Sequence, residues 1–136
     1  MNPAFFGKWN VDKSRSTGKE EFAKAFGVPD EQFAQLDKLD ISVTISQEGD
    51  AYKLEIDFNG AVPTQSVVLS PGTPGEVTAM DGTKAQVVLS IEGDSVKESY
   101  TSAKGNWLVT RTLEGDVQKV VSAAKDATLT QYLVKA

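Results

Sequence analysis

The feature that most constrains this chain is a series of short turns that recurs through roughly its last ninety residues. Turn-forming dipeptides follow one another about ten to twelve residues apart, with one wider gap: Gly49-Asp50, Asn59-Gly60, Asp81-Gly82, Gly93-Asp94, Lys104-Gly105, Gly115-Asp116 and Lys125-Asp126. Such residues accept the backbone of tight antiparallel hairpins, so the series predicts an up-and-down meander. A long meander leaves two bare edges unless it curls into a barrel, and a barrel of about eight to ten strands can enclose a small ligand.

Between the turns, apolar and polar residues alternate, which is typical of strands with one buried face. A first strand over 5–14 and nine later ones make ten, the later ones over 41–48, 51–58, 64–69, 75–80, 83–91, 95–103, 106–113, 117–124 and 127–134. Tyr52, Leu54, Ile56 and Phe58 form one apolar face, whereas 95–101 and 117–124 are mixed on both faces. Mixed strands indicate a partly polar or wet interior.

Two further segments interrupt the strand pattern. Residues 17–26 and 29–37 favour two short helices, with Phe22 and Phe26 on one face and Phe33 with Leu36 on another. These apolar faces either pack on the sheet or line a ligand entrance as a lid.

The prolines and glycines of 70–75 cannot pair continuously, so the ladder of hydrogen bonds between strands should be interrupted there.

Composition excludes several classes of function. The chain has 136 residues, enough for one domain, with a net charge of -5 and a pI near 4.7, and its basic residues are scattered, which argues against nucleic-acid binding. It has no histidine and no cysteine, which removes the commonest general base, the thiol nucleophile and most zinc chemistry. We therefore expect a protein that is not an enzyme and that has no metal or cofactor.

The absence of a signal-like start suggests a cytoplasmic protein, and nothing in the sequence requires more than a monomer.

Arg111 is the most unusual residue on a predicted apolar face. In strand 106–113 it alternates with Trp107, Val109 and Leu113, and no acidic residue shares that face of the strand. An enclosed guanidinium is costly unless it is paired, so an inward Arg111 needs an anion, which a ligand carboxylate would provide. A strand register slipped by one residue would instead place Arg111 outside in a surface ion pair.

The last strand contains a second candidate. There Leu129, Gln131 and Leu133 share a face opposite Thr130 and Tyr132. The two-residue period points Gln131 inward, toward Arg111, and the same slip of register would reverse this placement too.

Together these features resemble the intracellular lipid-binding protein family, which contains the fatty-acid-binding and cellular retinoid-binding proteins. The resemblance spans the chain, and its helical lid is similar to the liver-type and bile-acid-binding branch. The residues that carry it are Phe5-Phe6-Gly7-Lys8-Trp9, Lys24-Ala25-Phe26-Gly27-Val28, Met80 to Lys84, Ser90 to Asp94 and Val109 to Asp116.

The resemblance implies a single domain over 1–136: an all-β, ten-stranded antiparallel β-barrel, or β-clam, with a helix-turn-helix lid at about 17–38. It also implies a gap between the fourth and fifth strands. In the family an arginine on the eighth strand reaches a ligand carboxylate, and Arg111 matches it. Phe58 corresponds to an aromatic residue at the ligand portal, although an aromatic side chain there could equally cover the barrel rim.

The tenth strand departs from the family pattern of Arg-x-Tyr. An ungapped match aligns Gln131-Tyr132-Leu133 with it, and glutamine there is similar to the retinol-binding branch. A one-residue gap would instead align Thr130-Gln131-Tyr132. We prefer the ungapped match because the two-residue period also points Gln131 inward.

The leading hypothesis is non-enzymatic binding and transport of a long-chain fatty acid or similar amphipathic lipid. The predicted ligand-binding residues are Arg111, Gln131, Leu133, Val109, Leu129, Phe58, Tyr52 and Phe33. Alternatives are a retinoid, a bile acid or another hydrophobic ligand, or an interaction module that docks through the lid. Transient membrane contact is also possible, although the net negative charge of 16–40 disfavours anionic lipid.

Overall fold

The computed structural model describes residues 1–60, 64–78 and 83–136. The strands are β1 (Gly7–Thr17), β2 (Ser42–Glu48), β3 (Ala51–Asp57), β4 (Gln65–Leu69), β5 (Gly75–Thr78), β6 (Lys84–Glu92), β7 (Ser95–Ser102), β8 (Gly105–Glu114), β9 (Val117–Ala124) and β10 (Thr128–Lys135). The helices are α1 (Lys19–Ala25) and α2 (Asp30–Asp37), and a single 3-10 turn, Pro3–Phe5, precedes β1. Within the described residues, neither helix has the length and apolar character needed to cross a bilayer. The predicted turn at Asp81-Gly82 lies outside the described residues.

The ten strands form one antiparallel sheet in which each strand pairs with its neighbours along the chain, except that β4 does not pair with β5, and β1 pairs with β10. This confirms the predicted ten-stranded barrel with two short helices. Asn59 and Gly60, which follow β3, both have positive φ angles, 56° and 83°, a backbone conformation that asparagine and glycine accept more readily than other residues do.

The sheet order ends at β4 on one side and β5 on the other, so the ladder parts at the predicted segment 70–75. Side chains fill this gap. Leu69 is 1% exposed, and a Cβ atom on Gly75 would lie 2.5 Å from its Cδ2. Glycine at position 75 therefore lets the two edges approach around an apolar plug.

Apolar residues from the N-terminal segment and the central strands fill one part of the barrel. Phe5, Trp9, Ile45, Leu89 and Val96 are almost fully buried there. The Trp9 indole donates a hydrogen bond of 2.8 Å to the carbonyl of Phe5, which satisfies its buried N–H. This packed part supports the walls of the cavity described below.

The helices join the barrel through few tight contacts. Gly18 precedes α1 with a φ of +80°, and a Cβ atom there would lie 2.0 Å from the carbonyl oxygen of Thr128, so the approach of α1 to β10 requires glycine. Lys19 on α1 forms an ion pair with Asp37 on α2. No residue of either helix is buried. The helices therefore add little to the core.

Candidate functional site

The barrel encloses a cavity of about 550 Å³. Most of its wall is apolar, including Val43, Leu54 and Val120, and several polar side chains interrupt it, among them Arg111 and Gln131. A cavity of this size with a mainly apolar wall and some polar groups is typical of a small-molecule site.

A second cavity, of about 280 Å³, lies beneath the helices. Phe22, Phe33 and Leu36 line it from the lid, and Leu129 lines it from β10. It shares Gln131 with the first cavity, so the two adjoin. The aromatic residues of the helices are half-buried over this space, as expected for a lid.

Most of the residues predicted to bind a ligand lie on these cavities. Phe58, Val109, Arg111, Gln131 and Leu133 line the larger one. Leu129 and Phe33 line the smaller one, together with Gln131.

Tyr52 does not line either cavity, so its prediction as a ligand-binding residue is not supported. Its ring stacks on Phe6 with centroids 6.2 Å apart, and its hydroxyl accepts a hydrogen bond of 3.2 Å from the amino group of Met1. Tyr52 does share an apolar strand face with Leu54 and Ile56, but the N-terminal segment covers it at that level. One apolar strand face can therefore include both residues that line the cavity, such as Leu54 and Ile56, and a residue that the N-terminal segment covers, Tyr52.

The alternative registers of β10 are resolved by the structure. Gln131 and Leu133 line the cavity, whereas Tyr132 lies beneath the guanidinium of Arg15, whose Cζ is 4.2 Å from the ring centroid. Cation–π contact of this kind stabilises a partly exposed tyrosine. The face of β10 that the two-residue period pointed inward is therefore the face that lines the cavity.

Arg111 is 7% exposed and has a partner that the sequence interpretation missed. Its Nε donates to Oε2 of Glu98 at 2.5 Å, and Glu98 is 0% exposed. An inward Arg111 does have an anion as its partner, but Glu98 of the protein provides it and not, as expected, a ligand carboxylate. The pair comes from neighbouring strands, since Val96 lies opposite Arg111 and Glu98 is two residues further along β7.

Hydrogen bonds extend this pair on both sides. The hydroxyl of Tyr100 donates to Oε1 of Glu98 at 2.8 Å, and Nη1 of Arg111 donates to Oε1 of Gln118 at 3.0 Å. Gln118, on β9, is fully buried, and its Nε2 has no partner among the described residues. We call Glu98, Tyr100, Arg111 and Gln118 the polar cluster. Its members come from three adjacent strands and cross-link them.

The electrostatics of the polar cluster favour a charged pair and a neutral phenol. Burial lowers the pKa of Arg111, but the charge and hydrogen bond of Glu98 outweigh burial and leave that pKa above its ordinary value. Burial, followed by the charge of Glu98, raises the pKa of Tyr100 well above its ordinary value. Tyr100 therefore remains a hydrogen-bond donor to Glu98.

The polar cluster contacts the lid through aromatic rings. Tyr100 stacks on Trp107 with centroids 4.6 Å apart and planes 2° apart. Phe26 of the segment after α1 meets Trp107 edge-on at 5.2 Å. Trp107 lines the larger cavity and so lies between the lid and the polar cluster.

The sequence contained an indication that Glu98 and Gln118 lie inside the barrel. Both lie on strands whose mixed faces predicted a polar interior, and a short turn near Lys104-Gly105 fixes the register of β7 against β8. Counting back from that turn places Glu98 beside Arg111. The two-residue period describes the faces of one strand at a time and therefore does not show a partner on the neighbouring strand.

Comparisons with known proteins agree with this architecture. The chain is 32% identical over 113 residues to a liver fatty acid-binding protein of Sus scrofa, covering 83% of this chain and 84% of the relative. It is 29% identical over 109 residues to a liver-type fatty acid-binding protein of Takifugu rubripes, covering 76% of this chain and 86% of the relative. No family model matches the chain.

The fold is also similar to that of a solved structure, a fatty acid binding protein of Schistosoma mansoni in complex with arachidonic acid. The TM-score is 0.88 at 17% identity, with 98% of this chain and 96% of that chain covered. A lidded ten-stranded barrel around an enclosed cavity defines the class of intracellular lipid-binding proteins. Within that class, this chain belongs to the fatty-acid-binding protein family.

Proposed function

We propose that this protein binds a long-chain fatty acid or a similar amphipathic lipid inside the barrel and transports it without catalysing a reaction. The observation that carries this proposal is the enclosed cavity of about 550 Å³, whose mainly apolar wall contains Arg111 and Gln131. Membership of the fatty-acid-binding protein family supports the same ligand class. A cytoplasmic, monomeric carrier without a cofactor is part of the proposal.

The affinity would come mainly from the tail of the lipid. Enclosing a methylene group contributes about 0.8 kcal/mol, so a long chain gains several kcal/mol from apolar walls alone. Val109, Leu133 and Phe58 would contact the tail. Polar groups would then orient the head group, with Arg111 donating hydrogen bonds and Gln131 either donating or accepting them.

A pair of adjacent substitutions on β9 tests whether the cavity is the binding site. Ser122 lines the cavity and is 8% exposed, whereas Ala123 is exposed on the opposite face of the same strand. Ser122→Phe should fill part of the cavity and weaken binding of a fluorescent fatty acid to the delipidated protein by at least about tenfold. Ala123→Phe is the matched control and should bind as the wild type does.

Two results would contradict the proposal. One is a wild-type protein that binds no fatty acid and no other amphipathic lipid. The other is a folded Ser122→Phe variant, verified by circular dichroism, that binds the probe as tightly as the Ala123→Phe control. Mass spectrometry of lipid extracted from the purified protein would identify the ligand class directly.

A further inference from the structure

Each cation on the walls of the two described cavities already has a carboxylate partner. Nζ of Lys13 lies 3.1 Å from Oδ1 of Asp40, and Nζ of Lys19 lies 2.5 Å from Oδ1 of Asp37. Nε of Arg111 lies 2.5 Å from Oε2 of Glu98. Lys13 and Lys19 line the smaller cavity, and Arg111 lines the larger one. An incoming carboxylate therefore finds no uncompensated cation on these described walls.

The innermost of these pairs is the one that a bound head group would meet. Arg111 and Glu98 together carry no net charge, and Tyr100 beside them is neutral. Glu98 lies behind Arg111 and does not itself line the larger cavity, and Glu76, which does line it, is exposed and pairs with Lys84 at 3.5 Å. An ionised carboxylate placed beside Arg111 would add a second negative charge near Glu98 in an enclosed, mainly apolar space. That addition is costly because neither negative charge could then be fully compensated.

Hydrogen-bonding capacity remains even though charge is balanced. Arg111 uses Nε for Glu98 and Nη1 for Gln118, and its Nη2 has no hydrogen bond among the described residues. Gln131 reaches the same cavity with an amide that both donates and accepts. These groups match an uncharged head group that accepts a hydrogen bond, such as a hydroxyl, a carbonyl, an ester or an amide.

We infer that Glu98 is a specificity-determining residue, whose carboxylate neutralises Arg111 and makes the cavity select lipids with uncharged polar head groups over ionised fatty acids. The inference rests on the proposed function, because it names the head-group class for that cavity. Arg111 acts in it as a hydrogen-bond donor whose full charge is already balanced.

Affinities for two ligands with the same chain test this role. The dissociation constants of oleic acid and oleyl alcohol are measured by displacement of a fluorescent probe at about pH 8, where a free carboxylic acid is ionised. The wild type should bind the alcohol more tightly. Glu98→Gln removes the negative charge and leaves Arg111 with an uncompensated positive one, so the ratio of affinities should shift toward the acid by at least about tenfold.

The matched control is Glu92→Gln. Like Glu98, Glu92 pairs with a cation on the neighbouring strand, in this case Lys97 at 2.8 Å, but the side chain of Glu92 is 58% exposed on the outer surface. The same chemical change there should leave the ratio as in the wild type. If Glu98→Gln is too unstable for titration, its thermal unfolding is followed with each ligand, and the acid should raise the midpoint more than the alcohol does.

The outcomes separate this inference from the proposed function. If the wild type binds the acid more tightly than the alcohol, or if Glu98→Gln leaves the preference unchanged, the inference is wrong while lipid binding stands. If the wild type binds neither ligand nor any other amphipathic lipid, both are wrong. A preference for the alcohol that shifts toward the acid by at least about tenfold in Glu98→Gln but not in Glu92→Gln supports the role of Glu98.

Discussion

The interior of the barrel and its mouth each contain an ion pair with the same separation. Arg111 and Glu98 lie 2.5 Å apart inside, with side chains 9% and 0% exposed, and Lys19 and Asp37 lie 2.5 Å apart in the lid, with side chains 30% and 41% exposed. Equal distances do not imply equal energies. When a buried charge loses its partner, water cannot take the partner's place. When an exposed charge loses its partner, water solvates the charge instead.

The same contrast separates the two regions in their packing. The strands around the polar cluster contribute fully buried residues such as Val96 and Gln118, and neither helix contributes any. Regions with few buried apolar contacts open at low free energy, and ligand entrances are drawn from them. The interior pair therefore belongs to a fixed site, while the lid pair holds a segment that should move without unfolding the barrel.

The largest expected effect comes from breaking the interior pair on one side only. Arg111→Met leaves the carboxylate of Glu98 buried and unpaired, so we expect a loss of about 3–5 kcal/mol in the free energy of unfolding, measured by urea denaturation. Combining it with Glu98→Leu removes both charges and should recover most of that loss. A single variant as stable as the wild type, or a double variant no better than the single, would show that the pair is not coupled.

A smaller effect is expected from removing one hydrogen bond to the same carboxylate. Tyr100→Phe keeps the ring that stacks on Trp107 and deletes the hydroxyl that donates to Glu98. The cost should be about 1–3 kcal/mol, because a buried oxygen loses its donor. Tyr132→Phe is the matched control, since that ring contacts Arg15 on the opposite strand face, and its stability should change by about 0.5 kcal/mol or less. Equal losses of stability in the two variants would show that the Tyr100 hydroxyl has no special role.

The features predictable from the sequence were those that depend on one strand at a time. The turn series and the alternation of apolar and polar residues predicted the nine later strands, and the two-residue period correctly pointed Arg111, Gln131 and Leu133 toward the cavity. Glu98 was missed because its contact depends on the register between two strands. Tyr52 was misplaced because nothing in its own strand shows that the N-terminal segment packs against it. Contacts between elements distant in sequence are the part that local patterns do not encode.

The smallest expected effect comes from the lid. Asp37→Asn keeps the shape of the side chain but removes its charge, so Lys19 loses its ion pair while water takes its place. The free energy of unfolding should fall by no more than about 1 kcal/mol, and adding salt to the wild type should reduce even that difference because exposed pairs are screened. The rate at which a bound fluorescent lipid leaves, measured by stopped-flow transfer to vesicles, should rise instead, because the pair joins α1 to α2 over the smaller cavity. A loss of stability as large as that of Arg111→Met would contradict the contrast between the two regions, since it would make the exposed pair as important to folding as the buried one.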